Sequence, residues 1–216
     1  MPQVTLYYDP ITCALAPFIL LREAGVEFET VRPKRNNDEF AEELRQMNPK
    51  MRIPILLLDG EVITEVPAVS AAIAGLVPAM HLMGRRPLDT IRVYEWMNWL
   101  SGTLHVKSFG PLFRPHRFSD DPAAFEGIQA KAMESIKDCF NFIEDKLTDV
   151  YAVGGNLTVV DPLLFVFYRW GNNGAGLKMK ETYPKYTALV ANLVQRAAVK
   201  ATLKDEDLES IYKQLE

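Results

Sequence analysis

Cysteine and histidine are scarce in this chain, and their spacing excludes several classes of protein. Two cysteines in 216 residues, Cys13 and Cys139, lie far apart and form neither a disulfide framework nor a Cys-x-x-Cys pair. A general dithiol oxidoreductase is therefore disfavoured for want of a resolving thiol, and a reducing compartment is expected. The three histidines, His81, His105 and His116, show no His-x-x-x-His or Cys-His clustering, so no metal site is expected. Positive charge is not in excess: 24 Lys and Arg stand against 28 Asp and Glu, with no basic stripe to suit a nucleic acid. No apolar run approaches the roughly 18 residues of a membrane span, and no basic segment followed by an apolar one opens the chain, so no membrane association and a cytoplasmic location are expected. There is no P-loop and no G-x-G-x-x-G after a strand, which leaves nucleotides without an obvious seat.

What is present falls into two textures. Up to Gly75 the segments are short: a strand over 4–8, a helix over 14–24, a strand near Glu27–Val31, and a helical stretch through Phe40, Leu44 and Met47. Then come Ile55–Leu58, Asp59-Gly60 and Val62-Ile63, a hairpin because Asp-Gly supplies the positive φ of a tight turn, and a last helix near Pro67. The order β-α-β-α-β-β-α implies a mixed four-stranded sheet covered by helices. Residues 76–87 lack a clean period and hold two prolines and a glycine. We divide the chain into a domain over 1–77, a linker over 78–87 and an all-helical domain over 88–216.

The second texture is helical throughout. One pattern runs through Ile91, Tyr94, Trp96, Trp99, Leu100 and Leu104. A second opens at Asp121-Pro122, with Asp as N-cap, and carries Phe125 through Leu147, including Cys139, read as inert core. Thr158-Val159-Val160-Asp161 has the form of a capping box with Leu157 as staple, and it opens the apolar helix Leu163–Trp170. The glycine-rich stretch Gly171–Gly176 is expected to stop that helix, and a final helix follows Pro184.

Cys13 sits where the strand 4–8 gives way to an apolar helical pattern. At a helix N-terminus the dipole and unpaired N–H groups favour the thiolate, so its pKa is expected to fall below the free value of about 8.5. The same position also suits one more small buried apolar residue.

A single cysteine after the first strand, a proline before the third and an acid opening the last helix of the first domain resemble the thioredoxin-type domain of the cytosolic glutathione transferases. The resemblance is closest to the bacterial beta class. It is carried by the run Leu6–Gly25 around Cys13, by Asn48–Pro54, Thr64–Ala68, Glu95–Trp99, Leu104-His105 and Gly110–Phe113, and by Thr158–Asp161 with Arg169-Trp170. It implies an α/β thioredoxin-like N-terminal domain plus an all-α C-terminal domain. It also implies a detoxifying transferase that uses glutathione as co-substrate on small hydrophobic electrophiles, and a homodimer.

The resemblance also assigns roles. Cys13 would contact the glutathione sulfur or form a mixed disulfide with it. Since two thiolates repel, Cys13 suggests disulfide exchange at least as much as conjugation. Pro54 matches the family's cis-proline, with Ile53 offering its backbone to the cysteinyl part of glutathione. Glu65 would bind the γ-glutamyl ammonium. Val66 stands where many relatives have Ser, keeping the backbone N–H but losing a hydroxyl. Lys34, first in a basic cluster with Arg32 and Arg35, and Arg52 are candidates for the glycine carboxylate. His105 matches a cleft histidine that polarises or protonates near the two sulfurs, a task its ordinary pKa near 6.5 suits; a surface or capping role is the alternative. Val106 separates His105 from Lys107, so that both face the cleft only if the helix ends or bulges there. Phe109, Phe113 and Trp170, with Lys107, would line the acceptor pocket. The alternative function is a non-catalytic binding or scaffold protein on the same fold, with an altered glutathione site.

Overall fold

The computed structural model describes residues 2–36 and 39–208. In chain order its elements are β1 (Val4–Tyr7), α1 (Leu15–Glu23), β2 (Glu29–Val31), β3 (Arg35–Asn36), β4 (Glu39–Phe40), α2 (Leu44–Met47), β5 (Ile55–Leu58), β6 (Glu61–Thr64), α3 (Val66–Leu76) and α4 (Pro87–Trp99). A wide-turned π segment over Leu100–Phe109 follows, then α5 (Gly110–Phe113), α6 (Phe125–Lys146), α7 (Val160–Asn173), α8 (Met179–Thr182), α9 (Pro184–Leu193) and α10 (Ala197–Asp205). The main sheet has the order β2-β1-β5-β6, with β1 and β2 parallel and the other neighbours antiparallel. It is the mixed four-stranded sheet expected. The hairpin turn carries Asp59 at φ 51° and Gly60 at φ 87°, as the Asp-Gly pair requires.

Helix α1 is the hinge-piece of the packing. Its residues Leu15 to Leu21 are all buried, and it lies against α3, α7 and α10 at once. The β1–α1 turn is thus fixed from the sheet on one side and from the helical half on the other. Helix α7 is anchored at its start. The Thr158 N–H and Oγ1 donate to one oxygen of Asp161 at 2.7 and 3.1 Å, the Ala152 N–H donates to the other at 2.9 Å, and the Val160 N–H donates back to Thr158 Oγ1 at 3.3 Å. The box read from the sequence is thus realised in part: Asp161 reaches back to the Thr158 N–H, but Thr158 Oγ1 takes the N–H of Val160 rather than that of Asp161, and α7 itself begins at Val160 with Val159 as its cap.

Several elements differ from expectation. Phe40 lies in a two-residue strand opposite Arg35, with the guanidinium 4.3 Å from its ring centroid, so the helix near it begins only at Leu44. The glycine-rich stretch stops α7 as expected, at Asn173 with Gly174 as its cap, but Gly171 itself lies inside the helix, where a Cβ would stand 2.6 Å from the Met179 sulfur and 2.7 Å from the Phe140 ring. On α4 the buried positions are Asp89, Val93 and Met97, whereas Ile91 and Tyr94 are exposed at 59% and 49%. Helix α10 was not anticipated: only Val199, Thr202 and Leu203 are buried in it, and ion pairs dock its end, from Arg22 to Asp205 and from Arg32 to Glu206. No helix among the described residues is long and apolar enough to cross a membrane.

Candidate active site

Cys13 lies ahead of α1 rather than within it, since the helix begins at Leu15 with Ala14 as its cap. The residue is 6% exposed, and its sulfur faces the carbonyl of Ile53 at 3.9 Å. The Ile53–Pro54 peptide is cis, as the resemblance implied. Burial pushes the Cys13 thiol up to about 12, overcoming the help of its own backbone N–H and of Arg114 and Arg52. The expectation of an acidified thiol is therefore corrected. In this fold Cys13 is a neutral S–H that donates to a backbone carbonyl, an arrangement that favours the protonated form.

Glu65 caps α3 with φ 72°, a left-handed value that is unusual for a side chain of this size. Its carboxylate is paired with Lys50, whose ammonium also donates to Thr64 Oγ1 at 2.7 Å. Val66 is buried, and the first turn of α3 presents the N–H groups of Val66 and Ala68, Pro67 having none. Within the basic cluster, Arg35 pairs with Asp9 at 2.9 Å, and Arg32 is held by Glu206 and Tyr8. Lys34 and Arg52 are exposed.

His105 sits in the π segment, where the Gly110 N–H reaches the His105 carbonyl five residues back. The extra residue Val106 is accommodated by this widening. It leaves Leu104, Ser108 and Phe109 buried, His105 packed at 5.8 Å from Phe167 and 5.2 Å from Trp170, and Lys107 exposed. Wide helical turns of this kind are rare and recur at functional sites. Burial, then the charges of Arg52 and Arg114, pull the His105 pKa down to about 4, so the imidazole is neutral at pH 7. The expected value near 6.5 is thus corrected, and with it the role of proton donor.

Of the pocket candidates, Phe109 is wholly buried, stacked 5.9 Å from Phe167 and 5.4 Å from Phe113. Phe113 is exposed and Trp170 half-buried, 5.4 Å apart. The structure adds residues that had gone unnoticed. Arg114 ends α5 beside Phe113, and its charge acts on both Cys13 and His105. Lys50 covers Glu65. Only Arg114 left a local signal, the Arg-Pro pair that stops α5. Among the described residues no three His, Cys, Asp or Glu side chains converge as metal ligands would.

A mixed sheet of this order with a cysteine at the β1–α1 turn, a cis-proline before β5 and an acid capping α3, continued by an all-helical half, defines the glutathione transferase fold. The family described as glutathione S-transferase, N-terminal domain, matches residues 2–74. Over 94% of its length the chain is 31% identical to glutathione S-transferase GstA of Escherichia coli O157:H7, covering 99% of that protein. A glutathione transferase homologue from Sulfitobacter, solved with bound glutathione, superposes with a TM-score of 0.86 at 29% identity over 96% of this chain and 100% of that one. A beta-class enzyme of Sphingomonas chungbukensis superposes with a TM-score of 0.81 at 31% identity over 94% and 99%. The chain belongs to the glutathione S-transferase family.

Proposed function

We propose that the protein conjugates glutathione to small hydrophobic electrophiles, and that Cys13 serves as a neutral hydrogen-bond donor to the glutathione sulfur. The observation that carries this reading is the buried, protonated thiol at the Ile53 carbonyl. A neutral S–H beside a glutathione thiolate removes the repulsion that two thiolates would suffer, and Arg52 and Arg114 add positive charge where the anion would lie. Glu65 takes the γ-glutamyl ammonium in place of Lys50, the start of α3 takes the γ-glutamyl carboxylate, and the Ile53 backbone pairs with the cysteinyl part. Lys34 or Arg52 meets the glycine carboxylate. The electrophile lies on Phe113 and Trp170 beside the neutral imidazole of His105. The glutathione sulfur bonds to its electrophilic carbon as the leaving group departs.

Two substitutions separate this chemistry from disulfide exchange. Cys13→Ser keeps a donor and is expected to hold kcat/KM for a chloronitrobenzene acceptor within about 10-fold. Cys13→Ala is expected to lose about 10²- to 10³-fold, the usual cost of one oxyanion donor. Equal loss in both, with a reducible glutathione adduct on wild-type Cys13 by mass spectrometry, would establish exchange instead. A wild-type chain that neither turned over nor stayed on immobilised glutathione would be the scaffold form.

We also infer that the chain pairs with a second copy. The exposed Leu88 and Ile91 of α4 lie by a cavity of about 530 Å³ whose lining joins Trp96, Trp99 and Phe142 to the charged Arg92, Glu95 and Lys146, a mixed aromatic and charged face that a partner subunit would cover. Light scattering on the eluted protein is expected to give twice the 24.4 kDa of one chain, and a monomer at micromolar concentration would refute the pairing.

A further inference from the structure

The hydrogen bonds of the turn that carries Cys13 divide into two sets. One set closes the turn on itself. The N–H and Oγ1 of Thr12 donate to the Asp9 carbonyl at 3.0 and 2.7 Å, the Ile11 N–H donates to the Asp9 carboxylate at 3.2 Å, and the Ala14 N–H donates to Thr12 Oγ1 at 3.2 Å. The carbonyls of Pro10 and Ile11 find no partner within the turn. They are taken by two consecutive residues of α7: Arg169 Nη1 donates to Pro10 at 2.8 Å, and Trp170 Nε1 donates to Ile11 at 3.1 Å.

Both residues are costly choices for mere adhesion between the two halves. Arg169 is 8% exposed, so its guanidinium has been stripped of water next to a turn whose own carboxylate, Asp9, is bound by Arg35. An apolar side chain would pack the same seam without that cost. Trp170 presents its other side to the cleft, with ring centroids 5.2 Å from His105 and 5.4 Å from Phe113. One indole therefore walls the acceptor side and holds the turn on which the thiol is mounted. The helix they share packs directly on α1, and the Asp161 box fixes its far end, so the donors come from a rigid support.

We infer that Arg169 and Trp170 are positioning residues for Cys13, gripping the Pro10 and Ile11 carbonyls so that the thiol stays turned in against Ile53 rather than out to solvent. Both bond to backbone carbonyls of the turn rather than to the sulfur. The inference rests on the reading of Cys13 as the thiol of the site, but its consequence is the accessibility of one sulfur and needs no glutathione.

The test is iodoacetamide alkylation of the full chain between pH 7 and 11, with Cys13 and Cys139 quantified separately by peptide mass spectrometry. Cys139 is equally buried, in α6 and far from the turn in sequence, and reports any general loosening. Arg169→Met removes the charged donor and keeps the stem, Trp170→Phe keeps an aromatic wall without the N–H, and Arg169→Lys restores a cation. Cys13 is expected to react about 10-fold faster at pH 8 in Trp170→Phe and roughly 10- to 100-fold faster in Arg169→Met, in line with loss of a neutral and a charged hydrogen bond. Its pH midpoint moves toward that of an ordinary thiol, Cys139 is unchanged, and Arg169→Lys recovers most of the protection. An unchanged Cys13 rate and midpoint would overturn the inference. So would a parallel rise at both cysteines, which would make the pair a structural tie only. Failure of the wild-type chain to conjugate glutathione would refute the proposed chemistry while leaving this readout intact.

Discussion

Without ligand, Cys13 at pH 8 is expected to be alkylated roughly 40- to 100-fold more slowly than a free cysteine, and its rate is expected to climb about tenfold per pH unit well beyond pH 9. A thiol near 12 is ionised to roughly one part in 10⁴ at that pH, against about a quarter for a free thiol near 8.5. The stronger intrinsic nucleophilicity of a high-pKa thiolate returns part of the difference. Magnitudes decide why burial wins over the helix. A helix dipole contributes about 0.3–1 kcal/mol at an exposed site, less than one pKa unit, whereas full desolvation moves a thiol by up to 3–5 units. Cys13 also stands outside the first turn of α1, where the dipole is weaker. The sign for stability follows: the folded pKa lies above the unfolded one, so the neutral thiol contributes fully below about pH 8.5 and the contribution is lost as pH rises toward 12. A rate that levels off near pH 8 would contradict the buried thiol and return Cys13 to the nucleophile first expected.

That expectation failed for a physical reason. The strand, the cysteine and the apolar stripe of α1 are local features, and they were legible. So were the Asp59-Gly60 hairpin and the Thr158–Asp161 box, because positive φ and cap spacing act within a few residues. The ionisation of Cys13 and of His105 depends on what packs around them: Ile53 from a distant strand for one, Phe167 and Trp170 for the other. The π segment was half legible. Val106 signalled that an α-helix could not place its neighbours together, but whether the chain would end, bulge or rotate was settled by burying Leu104, Ser108 and Phe109, with Ser108 bonded to α6 and Phe109 stacked on Phe167 of α7. Arg169 was noticed only as part of a motif; its acceptor lies 159 residues away and leaves no trace in local spacing.

The largest loss of stability is expected from Asp161→Ala. The carboxylate receives three donors, the buried N–H and hydroxyl of Thr158 and the part-buried N–H of Ala152, and so ties the loop before α7 to the helix start. Each orphaned donor costs about 1–3 kcal/mol. Against this stands the cost of holding a charge there: burial pushes the Asp161 carboxyl up to about 6 in spite of its donors, a shift of about two units or roughly 3 kcal/mol that the substitution relieves. With the folded pKa raised, the contribution of this carboxyl is fullest below about pH 4 and is lost as pH rises through 6, so at pH 7 the cost of the charge is already present in the wild type. The donors outweigh it, leaving a net destabilisation of about 2–4 kcal/mol at pH 7 and a fall in Tm of roughly 5–15 °C for a chain of this size. Asp161→Asn, which keeps one acceptor and removes the charge, should fall between the two. Thermal unfolding followed by circular dichroism checks both, and an Asp161→Ala protein as stable as the wild type would mean that water or backbone shifts satisfy the freed donors and that the box does not anchor α7.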